Sequence, residues 1–409
     1  MLKEGVKLML ADWRSWFRKS LNYRLLIIIL ITVIEAALGI GRFWPDSALW
    51  IKLSETLSKG FYMDSSKLQG ILITYQMRPM LPLLAGLISP LFGYALSFGL
   101  INSLFWIGGA IIAYKLMKLI AFDENMAFSA SLLFTTSIPM IAYGSSILSD
   151  PPEYFFVGLA LYLVLLRKLK GIRRGMVFLD LTALGIGILF HPLILFALTF
   201  MAIVYLLDKK KRYESLLALS IIGFTYFSIA YAIGWIEQIL YFIRRFLSNP
   251  LSPRGGPPFL DAFMWTFGIM APLYPILIVP SHFIVYLINA VFFFAILALG
   301  SFRIHQKAEI FIYFLFLFYA THIQGINIER YLFVLWPCII PILIYGLYYA
   351  FNNASKGLMK VLRREKENPY LNFILNPIFL VNLYIILQGF YNTYAIIQLL
   401  GLSSLLWFR

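Results

Sequence analysis

Apolar residues come in long blocks, separated by short polar or charged stretches, along nearly the whole 409-residue chain. A helix of about 20 apolar residues spans the roughly 30 Å of bilayer hydrocarbon. The first such block runs from about Leu25 to Ile40. Ten more spans are expected near 94–120, 125–143, 154–167, 176–190, 192–207, 215–235, 281–301, 309–322, 331–351 and 373–395. The predicted fold is therefore all-α, a polytopic membrane protein of about eleven transmembrane helices. The last block is the least defined, since 370–407 also fits a hairpin.

Two stretches break the rhythm and read as large external loops. Segment 41–93 is too polar at its start to span, carrying Asp46, Glu55, Asp64 and Arg78, and predicts one or two helices on the membrane surface. Segment 236–280 holds Ile243-Arg244-Arg245-Phe246 and then Pro250, Pro253, Gly255-Gly256-Pro257-Pro258, a density that argues for irregular backbone. Its Pro272, Pro275 and Pro280 suggest a broken helix dipping toward the membrane. Residues 1–24 place Leu, Met, Trp and Phe at helical spacing among Lys and Arg, the pattern of an amphipathic helix on the cytoplasmic face. Residues 25–409 then form one transmembrane domain. The block beginning near Leu25 is longer than a signal-peptide core and no small-residue cleavage site follows it.

Composition agrees: 61% of residues are hydrophobic and 13% charged, about half the charged share of a soluble domain. Aromatics, at 17%, gather near the ends of the apolar blocks, as interfacial belts do. A single cysteine, Cys338, excludes a disulfide framework. The net charge of +15 would suggest nucleic acid in a soluble protein. Here it has a topological origin. With the N-terminus in the cytoplasm, the inner segments hold 24 of the 34 Lys and Arg residues, and eight of the other ten lie in the two long loops, which obey the positive-inside rule weakly.

Carboxylates are scarce in such a chain, so two at predicted outer helix–loop junctions stand out: Asp46 in Trp44-Pro45-Asp46, and Asp150 in Ser149-Asp150-Pro151-Pro152. Asp46 has Trp44 and Trp50 nearby, indoles that stack on sugar rings. It is also a fitting cap for a helix starting at Ser47. Asp150 before two prolines is an equally good cap, and capping does not exclude orienting a ligand. Arg78, Arg330 and the pair Arg244 and Arg245 have the planar fork suited to phosphate, or simply snorkel to the interface. Glu35 lies within the first span, where a carboxylate is costly and either functional or bonded to a neighbouring helix. His191 marks a tight turn between spans, where a capped loop residue is the plainer reading. The four histidines show no metal-ligand spacing, so no dedicated metal site is expected. No Walker loop, dinucleotide fingerprint or Gly-x-Ser-x-Gly elbow occurs.

Taken in order, these pieces resemble the GT-C superfamily of integral-membrane glycosyltransferases, nearest its protein O-mannosyltransferase and lipid A aminoarabinose transferase branches. The resemblance covers about 25–350. It rests on Pro45-Asp46-Ser47-Ala48-Leu49-Trp50 in the first loop, Met77-Arg78-Pro79-Met80-Leu81-Pro82 leading into a span, Ser149-Asp150-Pro151-Pro152, and Arg330-Tyr331-Leu332 with Pro337. It implies transfer of a sugar from a polyprenyl-phosphate donor to an acceptor hydroxyl, on the extracytoplasmic face of the plasma membrane, by one inverting displacement. It implies catalytic roles for Asp46 and Asp150, phosphate contacts from Arg78, Arg244, Arg245 and Arg330, and sugar or acceptor contacts from Trp44, Trp50, Glu329, Tyr331 and His191. A divalent metal through the same carboxylates is an option rather than a requirement. Many relatives carry a second acid beside the first, where this chain has Ser47, which leaves a non-catalytic lipid-linked-sugar binder as an alternative. A transporter or flippase is the other. The partners implied are a polyprenyl-linked sugar and membrane lipid, with no nucleic acid.

Overall fold

The computed structural model describes residues 23–44, 46–59, 78–121, 123–171, 175–232, 236, 240, 244, 283–304, 307–324, 332–361 and 369–407. Every regular element among them is helical. In chain order these are α1 (Tyr23–Gly39), α2 (Ser47–Ser58), α3 (Met80–Phe92), α4 (Tyr94–Ala121), α5 (Glu124–Thr135), α6 (Ile138–Tyr143), α7 (Asp150–Lys170), α8 (Met176–Ile188), α9 (Ile194–Leu207) and α10 (Arg212–Ala232). They continue with α11 (Phe283–Arg303), α12 (Lys307–Gln324), α13 (Trp336–Val361, entered through a 3-10 turn at Phe333–Leu335), α14 (Pro369–Ile374) and α15 (Pro377–Trp407). Residues 1–22 and most of 236–280, where the amphipathic helix and the proline-rich loop are expected, lie outside the described residues.

The helix α4 is the hub. It packs on α1, α3, α5 and α7, while α13 packs on α11, α5 and α15. The core between them is aromatic and aliphatic, with Phe98, Trp106, Phe134, Tyr154 and Trp336 all buried. The outer surface is also apolar: Leu30 on α1, Leu104 on α4, Phe224 and Phe227 on α10, and Leu387 and Phe390 on α15 are exposed. Water would not tolerate such cover over a whole bundle. Hydrocarbon explains it, and Tyr94–Ala121 and Phe333–Lys360 are long and apolar enough to cross a membrane. The chain is a helical membrane protein.

Three departures from the expected spans have local causes. The block 125–143 is broken into α5 and α6, because Ser137 is extended ahead of Pro139, which cannot donate to a continuing helix. The segment 370–407 is no hairpin. Asn376 accepts from the main-chain N–H groups of Ile378 and Phe379 and starts α15, 31 residues long. The helix α7 begins four residues earlier than the block 154–167, at Asp150, with Pro151 and Pro152 in its first turn, where the capping reading puts them. Prolines are tolerated there because first-turn N–H groups have no intrahelical partner. Within 41–93, the described helices α2 and α3 pack on each other and α3 packs on α4, burying Trp50, Leu53, Leu81 and Ala85.

Helices α11 and α13 cross at glycines. A Cβ on Gly346 would overlap the Ile296 carbonyl oxygen, and one on Gly300 that of Ile342. Small residues let membrane helices approach this closely. Gly346→Leu is therefore expected to lower stability by about 1–3 kcal/mol or more through overpacking. Gly357→Leu on the same helix, where no atom lies within 4 Å of the new Cβ, should change it by about 0.5 kcal/mol or less. Thermal unfolding of both variants in detergent checks the pair.

Candidate functional site

The two acid-bearing segments are laced together. The Gly41 N–H donates to the Ser145 carbonyl (3.0 Å), and the Ile147 N–H to the Arg42 carbonyl (3.1 Å). Ser47 Oγ donates to the Ile147 carbonyl (3.2 Å) and accepts from the Trp44 N–H (2.8 Å). The stretch after α1, ending in Asp46, thus runs beside the stretch ending in Asp150. Asn102 of α4 donates its amide to the Ser146 and Leu148 carbonyls and holds that second stretch from behind (2.7 and 2.8 Å).

Asp46 is half-buried, one residue ahead of α2, and its side chain does not cap the helix. Its carbonyl accepts from the Leu49 and Trp50 N–H groups (3.1 and 3.3 Å), so the main chain alone turns into the helix. Asp150 does not cap α7 either. It is the first helical residue, the cap is Ser149, and Asp150 is buried at 1% exposure. The capping role expected for it fails for a simple reason: its main chain is already helical, and its side chain turns into the protein.

Arg78 joins the same corner. Its guanidinium donates to Ser149 Oγ (2.7 Å) and lies 6.0 Å from the ring of Trp50. Two residues on, the Met80 N–H donates to the Leu189 carbonyl (3.2 Å), which pins the start of α3 to the turn between α8 and α9. That turn carries His191. The His191 ring is not a loop cap. It is fully buried, with Nδ1 3.1 Å from Glu153 Oε2, and one ligand-type atom each from Asp150, Glu153 and His191 lies within 4.8 Å of the others. The imidazole and the two carboxylates are the kinds of donor that hold a divalent cation.

The aromatics divide. Trp50 is buried at 1% exposure and supports Arg78 rather than offering a face to a sugar. Trp44 is half-buried, 4.9 Å from the ring of Tyr143. Glu35 Oε1 accepts from Thr393 Oγ1 of α15 (3.0 Å), the helix–helix bond anticipated for it. Arg42 donates to the Ile141 carbonyl (3.0 Å), and burial pulls its pKa down to about 10 against the opposing pull of Glu35. Arg244 is helical and exposed, whereas Arg245, Glu329, Arg330 and Tyr331 lie outside the described residues.

Sequence reasoning missed Glu153. The signal was present: Asp150 and Glu153 are three apart, so a helix begun at Asp150 puts both on one side of its first turn. Its partner His191 comes from a different turn of the chain, which no local pattern reveals.

Neither a family model nor a curated protein matches the sequence. Solved structures do. ArnT from Cupriavidus metallidurans bound to undecaprenyl phosphate aligns at 13% identity and a TM-score of 0.58, over 93% of this chain and 78% of that one. Its apo state aligns at 11% identity and a TM-score of 0.56, over 94% and 77%. The apo oligosaccharyltransferase of Archaeoglobus fulgidus aligns at 17% identity and a TM-score of 0.47, over 93% of this chain and 57% of that one. In fold, this chain is similar to these two ArnT structures.

Proposed function

We propose that this chain is a membrane glycosyltransferase that moves a sugar from a polyprenyl phosphate to an acceptor hydroxyl on the extracytoplasmic face. The observation that carries the reading is the lacing of segment 41–47 to segment 145–147, which brings Asp46, Arg78 and the start of α7 to one end of the bundle. The fold likeness to an ArnT structure holding undecaprenyl phosphate supports the donor class. The charge pattern supports the orientation: eleven spans, N-terminus in the cytoplasm with residues 1–24 lying on that face, and loops 41–93 and 236–280 outside the plasma membrane.

In this reading the isoprenoid tail lies along the apolar outer surface. Its phosphate meets Arg78, joined by Arg330, Arg244 and Arg245, whose fixed charges stabilise the negative charge that grows as the anomeric bond breaks. The carboxylate of Asp46 takes the acceptor proton while that oxygen attacks the anomeric carbon from the opposite side. The glycosidic C–O bond forms as the bond to phosphate breaks, and the polyprenyl phosphate leaves with the electron pair. Asp150 is the second acid. Enclosed as it is, it works by fixing Ser149 and through it Arg78. Trp44, Glu329 and Tyr331 contact sugar or acceptor, while Trp50 and His191 support from inside.

One displacement inverts the anomeric carbon. Purified protein given a polyprenyl-phosphate sugar and a lipid-extract acceptor is expected to form a product of inverted configuration, read by NMR of the anomeric proton. A retained configuration would remove the single-displacement mechanism. Failure to consume any polyprenyl-phosphate donor, with the protein folded, would remove the transferase reading.

A further inference from the structure

We propose that Asp150, Glu153 and His191 form a binding site for one divalent transition-metal ion. The site does not depend on the transferase reading, because it is argued from these three side chains alone.

The donors come from two elements and are held in register. Asp150 and Glu153 stand three apart in the first turn of α7, with Pro151 and Pro152 between them fixing φ. The turn is fastened from outside by Trp336, whose Nε1 donates to the Tyr154 carbonyl (2.9 Å). Trp336 can lie so close because residue 158 is glycine: a Cβ there would overlap the indole ring. His191 is fixed just as firmly. Its N–H donates to the Gly187 carbonyl (3.1 Å), and its carbonyl accepts from the Ile194 N–H (3.1 Å).

One nitrogen or oxygen of each residue lies within 4.8 Å of the others, and His191 Nδ1 is 3.1 Å from Glu153 Oε2. Donors bound at about 2.0–2.2 Å from one ion sit about 3–4 Å apart, so small side-chain rotations close the set. All three side chains are enclosed, at 1%, 0% and 0% exposure, so an ion held between them would be shielded from water.

The donor set selects the ion. One imidazole with two carboxylates suits Zn2+, Mn2+ or Fe2+, whereas Mg2+ and Ca2+ favour oxygen alone. The chain's one thiol, Cys338, lies on α13 and takes no part. A bound ion would tie the first turn of α7 to the turn between α8 and α9. It would thereby set Ser149, which receives the Arg78 hydrogen bond.

The test uses the full chain in detergent, stripped with a chelator and titrated with Zn2+ and Mn2+ by calorimetry, with thermal unfolding in parallel. One ion per chain, a rise in Tm on loading, and visible d–d bands on Co2+ substitution are expected. Glu153→Gln and His191→Gln should each weaken binding at least tenfold and lose the Tm rise. The proposal is overturned if stripped wild-type protein takes up no ion, or takes up no more than the Glu153→Gln/His191→Gln double variant. Should the variants not fold, wild-type protein that shows neither 1:1 uptake nor Co2+ bands overturns it by itself. None of these readouts uses sugar transfer, so the metal site and the transferase reading fail separately.

Discussion

Asp46→Asn is expected to cut sugar transfer by about two to four orders of magnitude, the usual contribution of a positioned general base. The substitution keeps size and shape and removes only the ability to take a proton at pH 7. The local fold should survive it. The turn into α2 is made by main-chain bonds to the Asp46 carbonyl and by Ser47 Oγ, and the Asp46 side chain does not cap the helix. Donor affinity should hold within about twofold, because the phosphate is seated by arginines and the tail by apolar surface. A fall in kcat without a matching rise in KM is therefore the signature, since the lost interaction belongs to the transition state. Asp150→Asn should also slow transfer, but through Ser149 and Arg78, and so with weakened donor binding. If both variants transfer sugar at the wild-type rate, the assignment of the acids is wrong.

How much of this was legible in the sequence follows from the physics of each element. The helices were, because a segment in hydrocarbon must satisfy its own backbone and the apolar blocks mark where it does. The break between α5 and α6 was missed although Thr135-Thr136-Ser137 and Pro139 were in plain view, since Ile138 and Met140–Ala142 carry the apolar block on past them. Asp46 and Asp150 stood out by scarcity. Their relationship did not, because it rests on bonds between residues about 100 positions apart, such as Ser47 Oγ to the Ile147 carbonyl. Burial misled twice. Asp150 and His191 read as surface residues by their places beside turns, yet both are enclosed, because α3 and Arg78 close over that corner. Glu153 was passed over because the apolar block was drawn from 154, one residue beyond it.

The far end of α7 is the place to test whether the helix is fixed along its length. Arg167 forks onto Asp180 of α8 through Nε and a terminal nitrogen (2.8 and 2.9 Å), and the Tyr205 hydroxyl of α9 donates to the same carboxylate (2.9 Å). The two charged side chains are 15% and 5% exposed. Arg167→Leu leaves Asp180 charged and enclosed, which costs about 3–5 kcal/mol when a buried pair loses one partner. Arg167→Leu/Asp180→Leu removes both charges and should regain more than half of that loss, because an apolar pair of similar volume is often no less stable. The remainder belongs to the Tyr205 hydroxyl, now without its acceptor, and Tyr205→Phe on the double background should recover about 1 kcal/mol. Thermal unfolding in detergent reads the order: single lowest, double higher, triple highest. A single variant within about 1 kcal/mol of wild type would mean that water reaches the pair and that it does not anchor α7. If the anchor holds, its loss should also reach the other end of the rod, some 17 residues or about 26 Å away. Asp150 and Glu153 ride on that first turn, so Arg167→Leu should lower donor affinity as well as stability. Arg167→Leu/Asp180→Leu should restore both.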